Sequence, residues 1–351
     1  MKLRFLTSTP QDVTRGSGTY VGISVLAEAL RGLGHTVEFE SPQQHLPVYT
    51  AERLWFNRQL RVSAECDLTI GYDMDGYRIA RGERGSGRHI ASLKGVIADE
   101  VRFESGLTRM TMGVQARCER LHVRRAARVV ATSQYSAECA RRMYGLKEMP
   151  AVVPELIDLP AWRRLLDSVN GVAANRAGRF TVLYVGRFYR RKRVNLLLEA
   201  AARLRQEVPG LEVRIVGNGP CAEAWRRQAA ALKLADTVTW LGDISRTELA
   251  REYRRADVFC LPSVQEGFGI VLLEAMAAGR PIVAARAAAI PEVAPQATLV
   301  TPESAEALAE GLMGLYRAPE LRAEQAAIGL EWVEQFDAPK VARLFLDAIR
   351  L

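Results

Sequence analysis

The sequence predicts an α/β protein built from two doubly wound domains that face a central cleft. Three observations carry that reading. The chain has 351 residues, more than one hydrophobic core usually serves. Short apolar runs alternate along it with stretches of helical period, the pattern of parallel strands with helices between them. The alternation breaks once, over residues 154–179, and then restarts more cleanly.

Taken in order, residues 2–7 read as a buried first strand. A glycine-bearing loop follows, then a helix over 21–33 that ends at Gly34, where a left-handed cap suits glycine. Residues 36–40 read as a second strand, and 68–72 and 90–93 as further short buried strands. Residues 107–128 read as a long amphipathic helix with arginines on its outer side, 129–132 as a strand, and 135–144 as a helix stopped by Gly145. Pro154 and Pro160 then punctuate the chain, and GVAANRAGR (171–179) is polar and without period. The expected divisions are therefore a first domain over 1–155, a linker over 156–179 and a second domain over 180–325, with helices over 326–351.

In the second domain, strands are expected over 180–186, 211–217, 238–242, 257–262 and 281–285. The helices between them cover 194–206, 222–234, a stretch ending at Arg255, and 270–278. Pro209-Gly210 closes the first of these. Ser245 and Glu248, three apart, form the capping box that opens the third. From Ser304 onward the chain reads as helical.

Composition excludes several function classes. Hydrophobic residues make up 48% and charged residues 25%, as in ordinary globular proteins. No apolar run approaches the ~20 residues of a spanning helix, and the start, MKLRFLTSTPQD, reads as a strand and not a signal peptide. The five cysteines are odd in number and contain no CxxC pair, which points to reduced thiols in a cytoplasmic protein, with Cys66 and Cys260 in the core. The four histidines are dispersed, so no metal site is expected. Net charge is +8, and it is diffuse: residues 1–155 carry 22 Lys+Arg against 17 Asp+Glu, the remainder 26 against 23. A nucleic-acid partner would concentrate that surplus. The spread suits an anionic small ligand, or peripheral contact with the inner face of an anionic membrane.

The chemistry is expected where the second domain's strands end, because ligands of such sheets bind at the carboxyl ends. There lie Gly186, Arg187 and Lys192; then Asn218 and Gly219; then Ile244; then Ser263, Glu266 and the turn Gly267-Phe268-Gly269. A helix opening near Gly269 offers free N–H groups, including those of Ile270 and Val271, and the positive end of its dipole. With Arg187 and Lys192 this rim suits a diphosphate. Glu274, inside that helix, is placed to accept from a ribose diol, and Glu266 lies on the side where a sugar would sit.

The stretch Glu266-GFGIVLL-Glu274-AMAAGRPIVA, with Gly186-Arg187-FYRR-Lys192 and the GNGP turn before it, resembles the retaining glycosyltransferases of family 4. The resemblance covers nearly all of 180–300 and, more weakly, the first half. It implies the GT-B fold, two Rossmann-like domains, with the last helix returning to the first domain. It implies transfer of a hexose from a nucleotide diphosphate sugar, UDP preferred over GDP, with retention and without a metal or other cofactor. The acceptor, a sugar, a lipid-linked glycan or a small molecule, would be held by the first domain. Arg187 and Lys192 would bind the diphosphate, Glu274 the ribose, Glu266 and the backbone of 268–271 the hexose, with Ile244 near the base. Arg193 stands where the family usually has glycine.

In the first domain the resemblance sets a glycine loop, with Gly16 and Gly18, beneath the donor phosphate. A dinucleotide fingerprint is the rival reading of Gly16, Gly18 and Gly22, with Glu38 or Glu40 as the ribose acid. The eight residues between Thr7 and Gly16 speak against it. Asp73 and Asp75 form a DxD triplet after a strand and are assigned to the acceptor side, as are Asp99 and Glu100. Many relatives carry a histidine near the reacting carbon; the matching position here is Lys94, which would take over that positioning role. The alternatives are an epimerase or hydrolase of the same fold, or a sugar-nucleotide-binding relative without catalysis.

Overall fold

The computed structural model describes residues 1–9, 18–43, 46–62, 65–80, 88–169 and 178–350. It divides into two compact units, the first comprising Met1–Leu156 with Ala338–Leu351, the second Ile157–Asp337.

The first unit runs β1 (Lys2–Leu6), α1 (Gly18–Gly32), β2 (Thr36–Glu40), α2 (Tyr49–Gln59), β3 (Leu68–Tyr72), β4 (His89–Leu93), α3 (Ile97–Glu100), α4 (Gly106–Arg125), β5 (Arg128–Ala131), α5 (Gln134–Tyr144) and β6 (Ala151–Val152). Its strands pair in parallel in the order β2-β1-β3-β4-β5-β6. Both faces of such a sheet are covered, so its strands are apolar on both sides. On one face Leu3, Phe5, Ile70 and Ile90 pack with Ile23, Leu26 and Leu30 of α1. On the other, Ala91, Leu93 and Ala131 meet Val123, Ala137, Ala140 and Tyr144.

The second unit runs α6 (Leu159–Ser168), β7 (Phe180–Val185), α7 (Val194–Leu204), β8 (Leu211–Val216), α8 (Ala222–Ala231), β9 (Val238–Gly242), α9 (Arg246–Arg255), β10 (Val258–Leu261), α10 (Ile270–Ala277), β11 (Ile282–Ala285), α11 (Ile290–Val293), β12 (Thr298–Val300), α12 (Ala305–Arg317) and α13 (Pro319–Trp332). A last helix, α14 (Ala338–Ala348), belongs to the first unit, where it packs on α1. The second sheet is also parallel, ordered β12-β11-β10-β7-β8-β9. The chain therefore builds outward from β7 to β9, returns, and builds the other way from β10. The reversal between β7 and β10 is the switch point at which doubly wound sheets open a crevice.

Two expectations change. The segment read as a linker contains a folded helix. Asp158 caps α6 by accepting from the Ala161 N–H at 2.8 Å, and Trp162 and Leu166 are 1% exposed. Its prolines mark the helix start, Pro160 sitting in the first turn. The second surprise is α2, whose inward face is mostly polar: Thr50, Glu52, Arg53 and Asn57 are buried along with Phe56, so no apolar period announces it.

Candidate active site

In the second unit, three loops leave the carboxyl ends of the strands beside the switch point. The loop after β7 carries Gly186, Arg187 and Lys192; the loop after β8 carries Asn218 and Gly219; the loop after β10 carries Ser263 to Gly269. Backbone bonds tie them together. The Val264 N–H donates to the Arg191 carbonyl at 2.9 Å, and the Phe188 N–H to the Asn218 carbonyl at 2.9 Å. A Cβ on Gly219 would lie 2.7 Å from the Phe188 nitrogen, so only glycine permits this approach.

The centre of the rim is an ion pair. The Lys192 ammonium donates to both carboxylate oxygens of Glu266, at 2.6 and 2.7 Å. Their side chains are 15% and 8% exposed. Two of the three ammonium hydrogens are engaged this way, and among the described residues the third meets no further acceptor. Nearby in sequence, Ser263 and Gln265 are buried, and among the described residues the Ser263 Oγ and the Gln265 Oε1 have no partner. Buried polar atoms left in this state are uncommon and mark places where another group completes the bonding.

Gly269 opens α10 with φ +93°, a conformation glycine adopts without strain. Phe268 turns its ring into the core against Phe336, 5.6 Å away, so only its backbone can serve a ligand. Ile270 and Val271 stand half-buried in the first turn, where α-helical amides lack intrahelical acceptors. Asn218 is occupied with its own turn, its Oδ1 accepting from the Gly219 N–H at 2.9 Å. Arg187 is half-buried, its guanidinium 4.0 Å from Asp243; Ile244 is half-buried beside it in sequence.

Glu274 sits one and a half turns into α10 and is 6% exposed. Its carboxylate accepts from Arg246 Nη1 and from the Tyr253 hydroxyl, each at 3.1 Å, and its main-chain carbonyl accepts from the Trp162 indole at 3.2 Å. Burial pushes the carboxyl above its usual range, and Arg246 opposes that rise. Arg246 and Trp162 carried no functional reading in the sequence. The capping box that does show there, Ser245 with Glu248, is formed, and it fixes Arg246 as the first residue of α9.

Arg193, standing where glycine is usual, adopts φ +51°. The loop thus requires a left-handed residue, and arginine accepts it while pairing with Glu303, itself at φ +60°.

The first unit corrects several expectations. Lys94 is engaged within the unit: its ammonium pairs with Glu155 at 2.9 Å, with side chains 6% and 7% exposed, and lies 5.6 Å over the Tyr72 ring. Asp75 is wholly buried and accepts from the Ser8 N–H, the Ser8 hydroxyl, Arg53 and Asn57. Asp99, also wholly buried, accepts from Arg102 and the Tyr135 hydroxyl. These acids hold the unit together and do not face an acceptor. Asp73 remains half-buried, its side chain accepting from the Lys94 N–H at 2.8 Å, and burial pushes its carboxyl up to about 6. Glu100 is half-buried in α3. Gly18 opens α1, while Gly16 lies outside the described residues. A pair unseen in the sequence joins β4 to α4: His89 and His122 meet at 2.7 Å between their Nε2 atoms, and His122 donates through Nδ1 to the Asp73 carbonyl. Among the described residues no three acids, histidines or cysteines gather as a metal would require.

Residues 171–332 match the family described as glycosyl transferases group 1. The chain is 36% identical over 170 residues to a D-inositol 3-phosphate glycosyltransferase of Pseudarthrobacter chlorophenolicus, a stretch covering 46% of this chain and 40% of that one. It is 33% identical over 163 residues to a GDP-mannose-dependent alpha-(1-6)-phosphatidylinositol monomannoside mannosyltransferase of Mycobacterium tuberculosis, covering 44% and 42%. These matches span less than half of each relative. Among solved structures, sucrose-phosphate synthase of Thermosynechococcus elongatus superposes with a TM-score of 0.80 at 20% identity, over 99% of this chain and 97% of the other. HepE of Anabaena in complex with UDP and glucose gives 0.72 at 18%, over 99% of both. The fold is GT-B, two Rossmann-like α/β units with parallel sheets.

Proposed function

We propose that the chain transfers a hexose from a nucleoside diphosphate sugar to an acceptor hydroxyl, with retention and without a metal. The observation that carries this reading is the Lys192–Glu266 pair at the switch point. It stands beside a glycine-opened helix and buried polar atoms that have no partner among the described residues. A diphosphate would take the free hydrogen of Lys192, the Arg187 guanidinium and the first amides of α10. As the bond between the anomeric carbon and the phosphate oxygen breaks, negative charge grows there, and these fixed donors stabilise it. The acceptor oxygen attacks on the same face, and its proton passes to the departing phosphate. Glu266 serves the hexose and Glu274 the ribose. The nucleotide is UDP or GDP: the mycobacterial relative is named for GDP-mannose, and the Anabaena structure holds UDP.

The acceptor side is assigned to the first unit, with contact to an anionic membrane through α4. Leu107 and Met110 of that helix are 75% and 71% exposed, and Val114 and Leu121 continue the stripe. Arg109, Arg117, Arg120 and Arg124 run alongside, all exposed. An apolar stripe flanked by arginines suits the interface of an anionic bilayer. Among the described residues no helix is long and apolar enough to cross a membrane.

The test separates the two glutamates. Glu266→Gln should lower kcat at least tenfold by the logic of transition-state contacts while free nucleotide still binds; Glu274→Gln should act chiefly on KM, because a lost ribose contact is uniform binding. Calorimetry with UDP and GDP, run beside steady-state kinetics with and without EDTA, reads all of this. Equal losses of nucleotide affinity with unchanged kcat in both variants would overturn the assignment.

A further inference from the structure

We infer that Arg246 is the positioning residue through which the site distinguishes ribonucleotides from deoxyribonucleotides, acting on the Glu274 carboxylate. The inference rests on the assignment of Glu274 to the ribose. Three contacts surround that residue. Arg246 Nη1 donates to Oε1 at 3.1 Å, the Tyr253 hydroxyl donates to Oε2 at 3.1 Å, and the Trp162 indole holds the main-chain carbonyl. Tyr253 and Trp162 are fully enclosed, at 0% and 1% exposure, and belong to the scaffold. Arg246 differs. Its side chain is 43% exposed, and its guanidinium lies 4.8 Å over the Trp162 ring. It thus rests against an aromatic ring on one side and is open to solvent on the other.

The chemistry of a diol explains why this arrangement matters. Two vicinal hydroxyls donate best to an ionised carboxylate whose oxygens point the right way. Glu274, nine-tenths buried in an apolar helix, would otherwise favour its neutral form. The guanidinium supplies the opposing charge and fixes the carboxylate plane from Oε1, while Tyr253 fixes it from Oε2. Each carboxylate oxygen keeps a further lone pair for the ribose. Ser245, capping α9, locks the backbone from which Arg246 projects.

The experiment compares binding of UDP and GDP with that of their 2′-deoxy counterparts, and of inorganic pyrophosphate, to the whole chain. The unsubstituted protein should prefer the ribonucleotide by about tenfold, the worth of a hydrogen bond to a charged group. Arg246→Gln and Arg246→Ala should bring that ratio close to one and leave pyrophosphate affinity unchanged. Arg246→Lys should restore part of it. In Arg246→Gln, the ratio should also decay at a higher pH on acidification, because Glu274 loses its neighbouring cation; Tyr253 and Arg246 are the ionisable groups that touch it. A merely structural role would lower all ligands alike and leave the pH profile in place. Equal loss of ribo and deoxy forms, or no change, would overturn the inference while Glu274→Gln still abolished the preference. No preference in the unsubstituted protein would overturn the ribose assignment itself, and this inference with it.

Discussion

The two sheets are both parallel and doubly wound, in the different orders β2-β1-β3-β4-β5-β6 and β12-β11-β10-β7-β8-β9, and their carboxyl ends are filled differently. In the first unit the acids there are held by several donors each. Asp75 accepts from four donor atoms, Asp99 from two residues, and Lys94 pairs with Glu155. In the second, Lys192 keeps a free hydrogen after pairing with Glu266, and the Ser263 and Gln265 oxygens have no partner among the described residues. A saturated network stabilises; an unsaturated one retains bonding capacity for a ligand. Resemblance alone would assign both lysines to catalysis. The structure pairs each with a glutamate, Lys94 lying in addition over the Tyr72 ring.

Breaking the comparison starts with Lys94. Lys94→Ala leaves the Glu155 carboxylate buried without its partner, a change that typically costs about 3–5 kcal/mol. Urea unfolding should show that loss, and nucleotide affinity of the folded variant should be unchanged. Wild-type stability with lost turnover would return Lys94 to the active site. Next comes Lys192→Ala, expected to lower kcat by about 10²- to 10³-fold as other lost transition-state donors do, with weaker nucleotide binding. Unchanged kinetics would place the diphosphate elsewhere.

Asp73 gives a smaller effect with a defined pH window. Its carboxyl is raised to about 6 in the folded unit, so folding favours the protonated form. That stability is fully present below about pH 3.9 and is lost as pH rises through about 6. Asp73→Asn, which tolerates the φ of +52°, should therefore stabilise the protein by about 1–2 kcal/mol at pH 7. The gain should vanish below about pH 4; a gain that persists there would assign it to packing. His122 runs the other way in the same window, since burial lowers it to about 4: its contribution is present above about pH 6.5 and lost as pH falls through 4. The smallest effect is expected from Arg193→Gly. Relief of the left-handed backbone, the loss of an exposed ion pair and the greater freedom of glycine nearly cancel. Thermal melting should move by no more than about 2 °C.

Strands over Thr36–Glu40, Leu68–Tyr72 and Val238–Gly242 were legible to the residue, because each is a short β-prone stretch bounded by turn residues. The α9 cap was legible because a capping box is local. The α2 helix was not, because it buries Arg53 and Asn57 against Asp75, and a polar inward face hides the period. Lys192 and Glu266, 74 residues apart, stand out in the sequence through their motifs, though their direct pairing does not. Lys94 with Glu155, 61 apart, and His89 with His122, 33 apart, have no local signal at all. Such pairs exist only once the sheet sets strand beside strand.

The return of α14 to the first unit has a consequence for synthesis. Val341, Ala342, Phe345 and Ile349 fill the core that Ile23, Leu26 and Leu30 of α1 begin. A ribosome makes α1 early and α14 only after the whole of Ile157–Asp337. At the usual elongation rates of about 5–20 residues per second, that interval is on the order of ten to forty seconds. The second unit, continuous in sequence, can close its core within that time. Of the two units, the first closes its core second, once α14 is made and joins the cluster around α1.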